Sequence, residues 1–208
     1  MDTRQAYNSW AAQYDTNLNK TRDLEAQALR ATLAPIPMEH YLEIGCGTGK
    51  NTEWLVTRAQ AITAVDLSEA MLAKAKAKIN SPTVQFIQAD ITTPWTFTQG
   101  LYDVVGFSLV LEHIENLPAV FEKVAAVLKP GGYVYIGELH PFKQYSGSKA
   151  RFETEAGIQV VECFTHHISD FIDAGKKHGL LLADMEEYFD NGDRQEIPRI
   201  LTLLLKKG

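Results

Sequence analysis

Residues able to do chemistry concentrate where the chain passes from a strand-like run into a helical one. Glu43-Ile44-Gly45-Cys46-Gly47-Thr48-Gly49-Lys50 carries three glycines at alternate positions. Such a loop lets the backbone approach a ligand closely and offers it N–H groups and a helix N-terminus. The dinucleotide fingerprint needs glycines at G-x-G-x-x-G. Here the third glycine comes one residue early, at Gly49, and Lys50 stands where the fingerprint requires it. The phosphate loop G-x-x-x-x-G-K-[ST] has no match. Asp66 lies 21 residues beyond Gly45, at the end of a second apolar run, placed to accept hydrogen bonds from a ribose diol. Asp90 closes a third run and is placed to receive an adenine amino group. The ligand so described has ribose and adenine and needs no pyrophosphate.

A second set of reactive side chains follows. His113 sits in Leu111-Glu112-His113-Ile114, and Glu138, His140, Tyr145 and Arg151 gather near the start of a segment rich in aromatic and polar residues. These are candidates for proton transfer and for holding a substrate, with Arg151 able to pair with an acidic one. No Cys/His spacing has the form of a metal site, and no metal is expected. Cys46 reads as a small packed residue.

These residues need elements that deliver them to one place. Tyr7, Trp10, Ala11 and Tyr14 fall at i, i+3, i+4, i+7, and Leu24, Ala28, Leu29 and Leu33 make a second apolar series, so residues 3–33 read as two helices, ended by Pro35 and Pro37. Strands are then expected at Tyr41–Ile44, Ala61–Val65, Val84–Ile87, Tyr102–Phe107 and Tyr133–Gly137. Helices alternate with them: about Lys50 to Ala59, one N-capped by Ser68 with Leu72, Ala75 and Ile79 inward, and one marked by Leu117, Val120, Phe121, Val124 and Leu128, stopped by Pro130-Gly131-Gly132. This alternation implies a parallel sheet covered by helices on both faces. Ile168, Phe171, Ile172 and Gly175 mark a last helix. Leu180–Tyr188 and Ile200–Leu205 follow as strands joined by Asp190-Asn191-Gly192-Asp193, a link without a helix, so this pair is expected antiparallel. Residues 140–167 read as an inserted flap at the carboxyl end of the sheet, where long insertions are usually functional.

Composition narrows the class. The 208 residues are 45% hydrophobic and 22% charged, which excludes a disordered or fibrous chain. Twenty Lys and Arg against 26 Asp and Glu give a net charge of −6, which argues against nucleic acid as the main partner. Two cysteines, Cys46 and Cys163, fit a reducing cytoplasm rather than a disulfide framework. No apolar run approaches the length of a membrane span, and the start lacks a signal-peptide core, so the expectation is a soluble cytoplasmic protein without a membrane partner.

Glu43-x-Gly45-x-Gly47-x-Gly49, Asp66, Asp90 and Leu128-Lys129-Pro130-Gly131-Gly132 together resemble the class I S-adenosylmethionine-dependent methyltransferases, most sharply over residues 40–140. The resemblance implies an α/β Rossmann-like three-layer sandwich around a seven-stranded, mostly parallel sheet of order 3-2-1-4-5-7-6, with strand seven antiparallel. It implies one domain over 1–208: a helical cap (1–37), a cofactor core (38–139), a substrate flap (140–167) and a terminal helix and hairpin (168–208). The cofactor would be S-adenosyl-L-methionine, leaving as S-adenosyl-L-homocysteine, across the carboxyl ends of strands one and four. Gly45, Gly47 and Gly49 would let the backbone approach the methionine part, with Glu43 orienting the loop or reaching the amino group through water. Asp66 would hold the ribose, Leu67 would pack on adenine, and Asp90 with the Ile91 backbone would read its edge. Phe107 and Ser108 would border the methyl and offer carbonyls to the ammonium group. Tyr14 and Arg22 would face the methionine carboxylate.

Methyl transfer from a sulfonium needs mainly alignment, worth about 7–11 kcal/mol in a well-placed case, so no universal catalytic residue is expected. His113, His140, Tyr145 and Arg151 stay as candidates, with His113 weighted toward lining the cofactor. Gly106-Phe107-Ser108-Leu109 stands where family members that methylate nucleobase amines carry an Asn/Asp-Pro-Pro-aromatic motif. With the short flap, this favours a small-molecule methyl acceptor and no nucleic acid. A non-catalytic cofactor-binding or interaction protein on the same fold is the alternative. A nicotinamide oxidoreductase is disfavoured by the early third glycine. The motifs carry no signal for the methylated atom or the oligomeric state.

Overall fold

Side-chain alternation along the central strands decides the layering. On β1 (His40–Ile44), Leu42 and Ile44 enter one apolar cluster with Val105 and Phe107 of β4 (Tyr102–Ser108) and Val134 and Ile136 of β5 (Leu128–Leu139). Tyr41 and Tyr135 point to the other face and join a second cluster with Ile62 and Ala64 of β2 (Ala61–Asp66). Helix α5 (Leu117–Val127) covers the first cluster through Val120, Phe121 and Val124, and α7 (Ile168–Lys176) through Phe171 and Ala174. Leu29 and Leu33 of α2 (Lys20–Leu33) and Leu72 of α4 (Glu69–Lys78) cover the second. Each face buries its apolar side against helices, which gives three layers.

The computed structural model describes residues 2–16, 18–98, 100–154 and 157–208. Its main sheet has the order β3-β2-β1-β4-β5-β9-β8, where β3 is Val84–Gln88, β8 Leu180–Tyr188 and β9 Ile200–Lys207. The first five of these strands in chain order run parallel; β9 pairs antiparallel with both β5 and β8. Two flap strands, β6 (Arg151–Thr154) and β7 (Gly157–Val160), form a separate antiparallel pair. Counting only the main sheet, the order is the expected 3-2-1-4-5-7-6. Among the described residues no helix is long and apolar enough to cross a membrane.

Two boundaries differ from the sequence reading. The helix expected from Lys50 to Ala59 reduces to α3 (Thr52–Leu55) flanked by turns. Asn51 makes no side-chain cap there; its amide donates instead to Glu25 Oε2 at 2.9 Å, and past Leu55 the bonds Thr57 N to Trp54 O and Arg58 N to Leu55 O tighten the spiral. Leu128-Lys129-Pro130-Gly131-Gly132 belongs to β5 rather than ending α5 past Leu128. Leu128 pairs with Tyr102 and the register shifts before Tyr133 meets Val104, an irregularity that Gly131 accommodates with φ +74°.

The cap has its own small core. Ala6 and Trp10 of α1 (Thr3–Trp10), with Ala11, pack against Met71 of α4 and against Phe152 and Val161 of the flap. The Trp10 and Phe152 rings stack at 5.1 Å with 13° between planes. Asn8 Oδ1 accepts from Ser68 Oγ at 2.6 Å, tying α1 to the start of α4. The flap opens with the short helix α6 (Pro141–Tyr145).

Candidate functional site

Strands β1 to β4 all end on one edge, and the turns leaving them enclose a chamber of about 450 Å³. Gly45 and Gly47 come from the turn after β1, Asp66 and Leu67 from the end of β2, Asp90 and Ile91 from the turn after β3, Ser108 and Leu109 from the end of β4, and Tyr7 of α1 also lines it. Beside it lies a second chamber of about 280 Å³, between the start of α2 and the flap. Tyr7, Tyr14 and Leu109 line both. Leu109 adopts φ +57°, unusual for a branched side chain, and its N–H donates to Gly137 O at 2.8 Å. Glu138 braces the same turn, its Oε1 accepting from Val110 N at 2.9 Å and Leu111 N at 2.8 Å. Burial pushes the Glu138 carboxyl up to about 8.

The glycine loop is closed upon itself. Gly45 N and Cys46 N donate to Val65 O at 2.7 and 3.0 Å, Gly47 N to Asp66 Oδ2 at 2.8 Å, and Gly49 N to Cys46 O at 2.9 Å. These N–H groups are therefore not open to a ligand as the sequence reading expected, and they make no phosphate cradle. What Gly45 provides is close approach: with φ +74°, a Cβ built there would lie 2.1 Å from Val110 Cγ2. Gly49 packs against α4, where a Cβ would come within 2.7 Å of Ile79 Cδ1. Glu43 lies under the loop, accepting from Thr52 Oγ1 at 2.6 Å, and burial pushes its carboxyl up to about 8. Burial also raises Asp66, opposed by the N–H groups of Ser68 and Gly47 that it accepts. Asp90 uses Oδ1 for Thr92 N at 2.9 Å and Thr92 Oγ1 at 2.6 Å.

Of the residues singled out from sequence, Tyr14, Gly45, Gly47, Asp66, Leu67, Asp90, Ile91 and Ser108 all line the first chamber. Glu43 and Gly49 are not among its lining residues, and Phe107 is fully buried, stacked on Phe121 at 6.5 Å. Arg22 lines the second chamber rather than the first, with its guanidinium 3.9 Å from the Tyr14 ring centre. His113 lines the first, Nε2 accepting from the Tyr7 hydroxyl at 2.8 Å and Nδ1, the protonated nitrogen by its partner, donating to Glu162 O at 2.7 Å. Arg151 lines the second chamber. His140 lies outside both; Nδ1 accepts from Phe142 N at 3.2 Å at the start of α6 and Nε2 faces Glu187 Oε1 at 3.0 Å. Tyr145 is exposed, its hydroxyl 2.6 Å from His167 Nδ1.

Sequence reasoning passed over Glu112, Lys149 and Arg199, all of which line the second chamber. Glu112 is buried, and burial pushes its carboxyl above the usual range; its Oε2 has no hydrogen-bond partner among the described residues. Adjacency to His113 was its only trace in the sequence. Glu112, His113 and Cys163 bring donor atoms within 4.8 Å of one another. Both His113 nitrogens are engaged and burial pushes the Cys163 thiol up to about 12, so the trio is poorly prepared for a metal ion.

Comparison with known proteins gives a consistent picture. Residues 42–136 match the family described as a methyltransferase domain. Over 137 residues the chain is 32% identical to the biotin biosynthesis bifunctional protein BioHC of Cellvibrio japonicus, covering 66% of this chain and 27% of that protein. Over 133 residues it is 29% identical to a ubiquinone biosynthesis O-methyltransferase of Pectobacterium atrosepticum, covering 63% of this chain and 55% of that one. The aligned stretches thus span about half or less of these relatives. The fold is similar to that of the N-methyltransferase NodS of Bradyrhizobium japonicum in complex with S-adenosyl-L-homocysteine, with TM-score 0.74, 18% identity, and 100% and 99% of the two chains covered.

Proposed function

We propose that this chain, whose residues 42–136 match the methyltransferase-domain family, is a class I S-adenosylmethionine-dependent methyltransferase that transfers a methyl group from S-adenosylmethionine to a small-molecule acceptor. One observation carries the reading. The chamber ringed by Asp66, Asp90 and the glycine loop adjoins a second chamber, and among the described residues Tyr7, Tyr14 and Leu109 line both. A cofactor in one and an acceptor in the other would meet there.

The residues fit the cofactor. A volume of about 450 Å³ is within the range of small-molecule sites. The Asp66 carboxylate is an acceptor for a ribose diol, with its position fixed by Gly47 N and Ser68 N. Asp90 keeps Oδ2 clear of the Thr92 bonds for an adenine amino group, and Leu67 and Ile91 offer the ring apolar faces. Loop N–H groups committed to Val65 O and Asp66 suit a ligand without phosphate. Glu43 acts on the loop through Thr52, and Tyr14, with Arg22 stacked on it, bounds the methionine end.

When bound, S-adenosylmethionine supplies a methyl group already activated on a sulfonium. The chain's part is to align the acceptor, exclude water and remove a proton where the acceptor carries one. Trp10, which lines the second chamber, stacks on Phe152 of the flap and ties the cap to it. His113 has both nitrogens held, so the proton falls to Glu112, a buried carboxyl in the acceptor chamber with Oε2 unpartnered among the described residues and a raised affinity for protons. Free Cys46 and Cys163 suit the reducing cytoplasm we propose as its compartment.

Calorimetry with S-adenosylhomocysteine tests the cofactor site. Micromolar binding is expected for the native protein, weakened by about tenfold to a hundredfold in Asp66→Ala, the loss of charge-assisted hydrogen bonds of about 1.5–3 kcal/mol. Equal binding by both proteins would overturn the assignment. Mass spectrometry of a metabolite extract given labelled cofactor then identifies the acceptor by its labelled methyl.

A further inference from the structure

The acceptor chamber is cationic in an acidic protein. Its walls include Arg22, Lys149, Arg151 and Arg199 against one carboxyl among the described residues, Glu112, in a chain of net charge −6. Their commitments differ. Arg199 is ion-paired with Asp190, and its Nη1 donates to Thr21 Oγ1 at 3.1 Å. The Arg22 guanidinium lies over the Tyr14 ring. Lys149, on the arm of the flap that leads into β6, and Arg151, the first residue of β6, have no carboxylate within ion-pair distance among the described residues. The same chamber is lined by the first turn of α2, a 14-residue helix, through its N-cap Asn19 and through Thr21 and Arg22. The partial positive charge of that helix end adds to the potential. Cations converging on a cavity of about 280 Å³ repel one another until an anion enters.

We infer that the acceptor is a small molecule bearing an anionic group, carboxylate or phosphoryl, which Lys149 and Arg151 grip from the flap while Arg22 and Arg199 also favour it. The inference rests on the reading of this chamber as the acceptor site. Arg151 supplies planar, paired donors that match either oxyanion, and Lys149 supplies a compact charge. The anionic end lies against residues 148–151 and the start of α2, so the atom to be methylated points back to the shared wall of Tyr7, Tyr14 and Leu109. Specificity then comes from a charge held at one end of the chamber and a reacting atom at the other.

The test uses the whole protein, with and without saturating S-adenosylhomocysteine. Inorganic phosphate, methylphosphonate and malonate are titrated by calorimetry at constant ionic strength, with chloride as the control. At least one of the three oxyanions is expected to bind in the millimolar range or tighter, and the double variant Lys149→Gln, Arg151→Gln to weaken it about tenfold or more. S-adenosylhomocysteine binding should change less than twofold in that variant, which also reports that the fold is intact. Tighter binding of malonate assigns a carboxylate acceptor, and tighter binding of methylphosphonate or phosphate a phosphoryl one. No binding beyond the chloride control, or equal binding by native and double variant, overturns the inference. Anion binding in a protein that binds no S-adenosylhomocysteine would uphold the anion site and overturn the methyltransferase reading.

Discussion

The two chambers are neighbours built by opposite means. The first is made at the ends of β1 to β4, largely by backbone turns whose positions follow from strand register. The second is made by side chains from segments far apart in sequence, Asn19–Arg22, Leu109–Glu112, Ser148–Arg151 and Arg199. A sheet edge cannot shift one wall without shifting its neighbours, so the first chamber tolerates little change. The second can be remade by substitutions on the flap and α2 that leave the sheet untouched. A fold of this kind keeps one ligand fixed while the other is free to differ.

The largest expected effect comes from breaking the rigid side of that contrast. Gly45→Ala places a Cβ against Val110 and imposes a left-handed backbone that costs about 1–2 kcal/mol before the collision is counted. S-adenosylhomocysteine binding should fall at least about a hundredfold by calorimetry. Retention of native affinity would show that close backbone approach is not what the loop provides.

Glu112→Gln tests the adaptable side. It keeps the shape and removes the proton acceptor, so kcat should drop by about two orders of magnitude, as for loss of a general base, while S-adenosylhomocysteine affinity stays within twofold. A kcat that stays flat while KM rises would assign Glu112 to acceptor binding instead.

Phe152→Ala should have a smaller effect, confined to the cap. The ring stacks on Trp10 in a satellite cluster rather than the main core, so the stability loss should lie toward or below the low end of the about 3–5 kcal/mol seen for buried Phe→Ala. Acceptor KM should rise several-fold, and amide exchange at Val161 and Phe164 should quicken, since Val161 N donates to Ala150 O at 2.9 Å and Phe164 N to Glu112 O at 2.7 Å. Cofactor affinity falling as much as acceptor affinity would mean that the two chambers open together.

How much of this was legible in the sequence follows the same division. Glycine spacing, Asp66 and Asp90 act through local turns at strand ends, alternation implied a parallel sheet, and the family resemblance implied its strand order, so the residues ringing the first chamber could be named from the sequence. Lys149, Arg199 and Glu112 have no spacing in common; they meet because β9 folds back beside β5 and the flap returns onto α1. His140 looked like a base because histidines past strand ends often are, yet its neighbours Phe142 N and Glu187 use both its nitrogens. Leu128-Lys129-Pro130-Gly131-Gly132 looked like a helix stop because Pro and Gly end helices, whereas pairing of Leu128 with Tyr102 draws it into the sheet.

The smallest effect tests two buried carboxyls, one beneath each kind of wall. Glu43 supports the glycine loop and Glu138 the turn between chambers, and burial pushes each up to about 8 from an ordinary value of 4.5. Below pH 4.5 both the folded and unfolded chains hold these protons, and the associated stability is fully present. As pH rises toward 8 the unfolded chain releases protons that the folded one retains, so stability declines and the contribution is lost once the folded groups ionise. Glu138→Gln keeps an acceptor for Val110 N and Leu111 N and removes one titration. Urea unfolding at pH 5, 6.5 and 8 should show a shallower decline than in the native protein, and the double variant with Glu43→Gln a shallower one still. If Glu43→Gln alone flattens the curve, the titrating proton belongs to the sheet-built side, and Glu138 is already ionised in the fold.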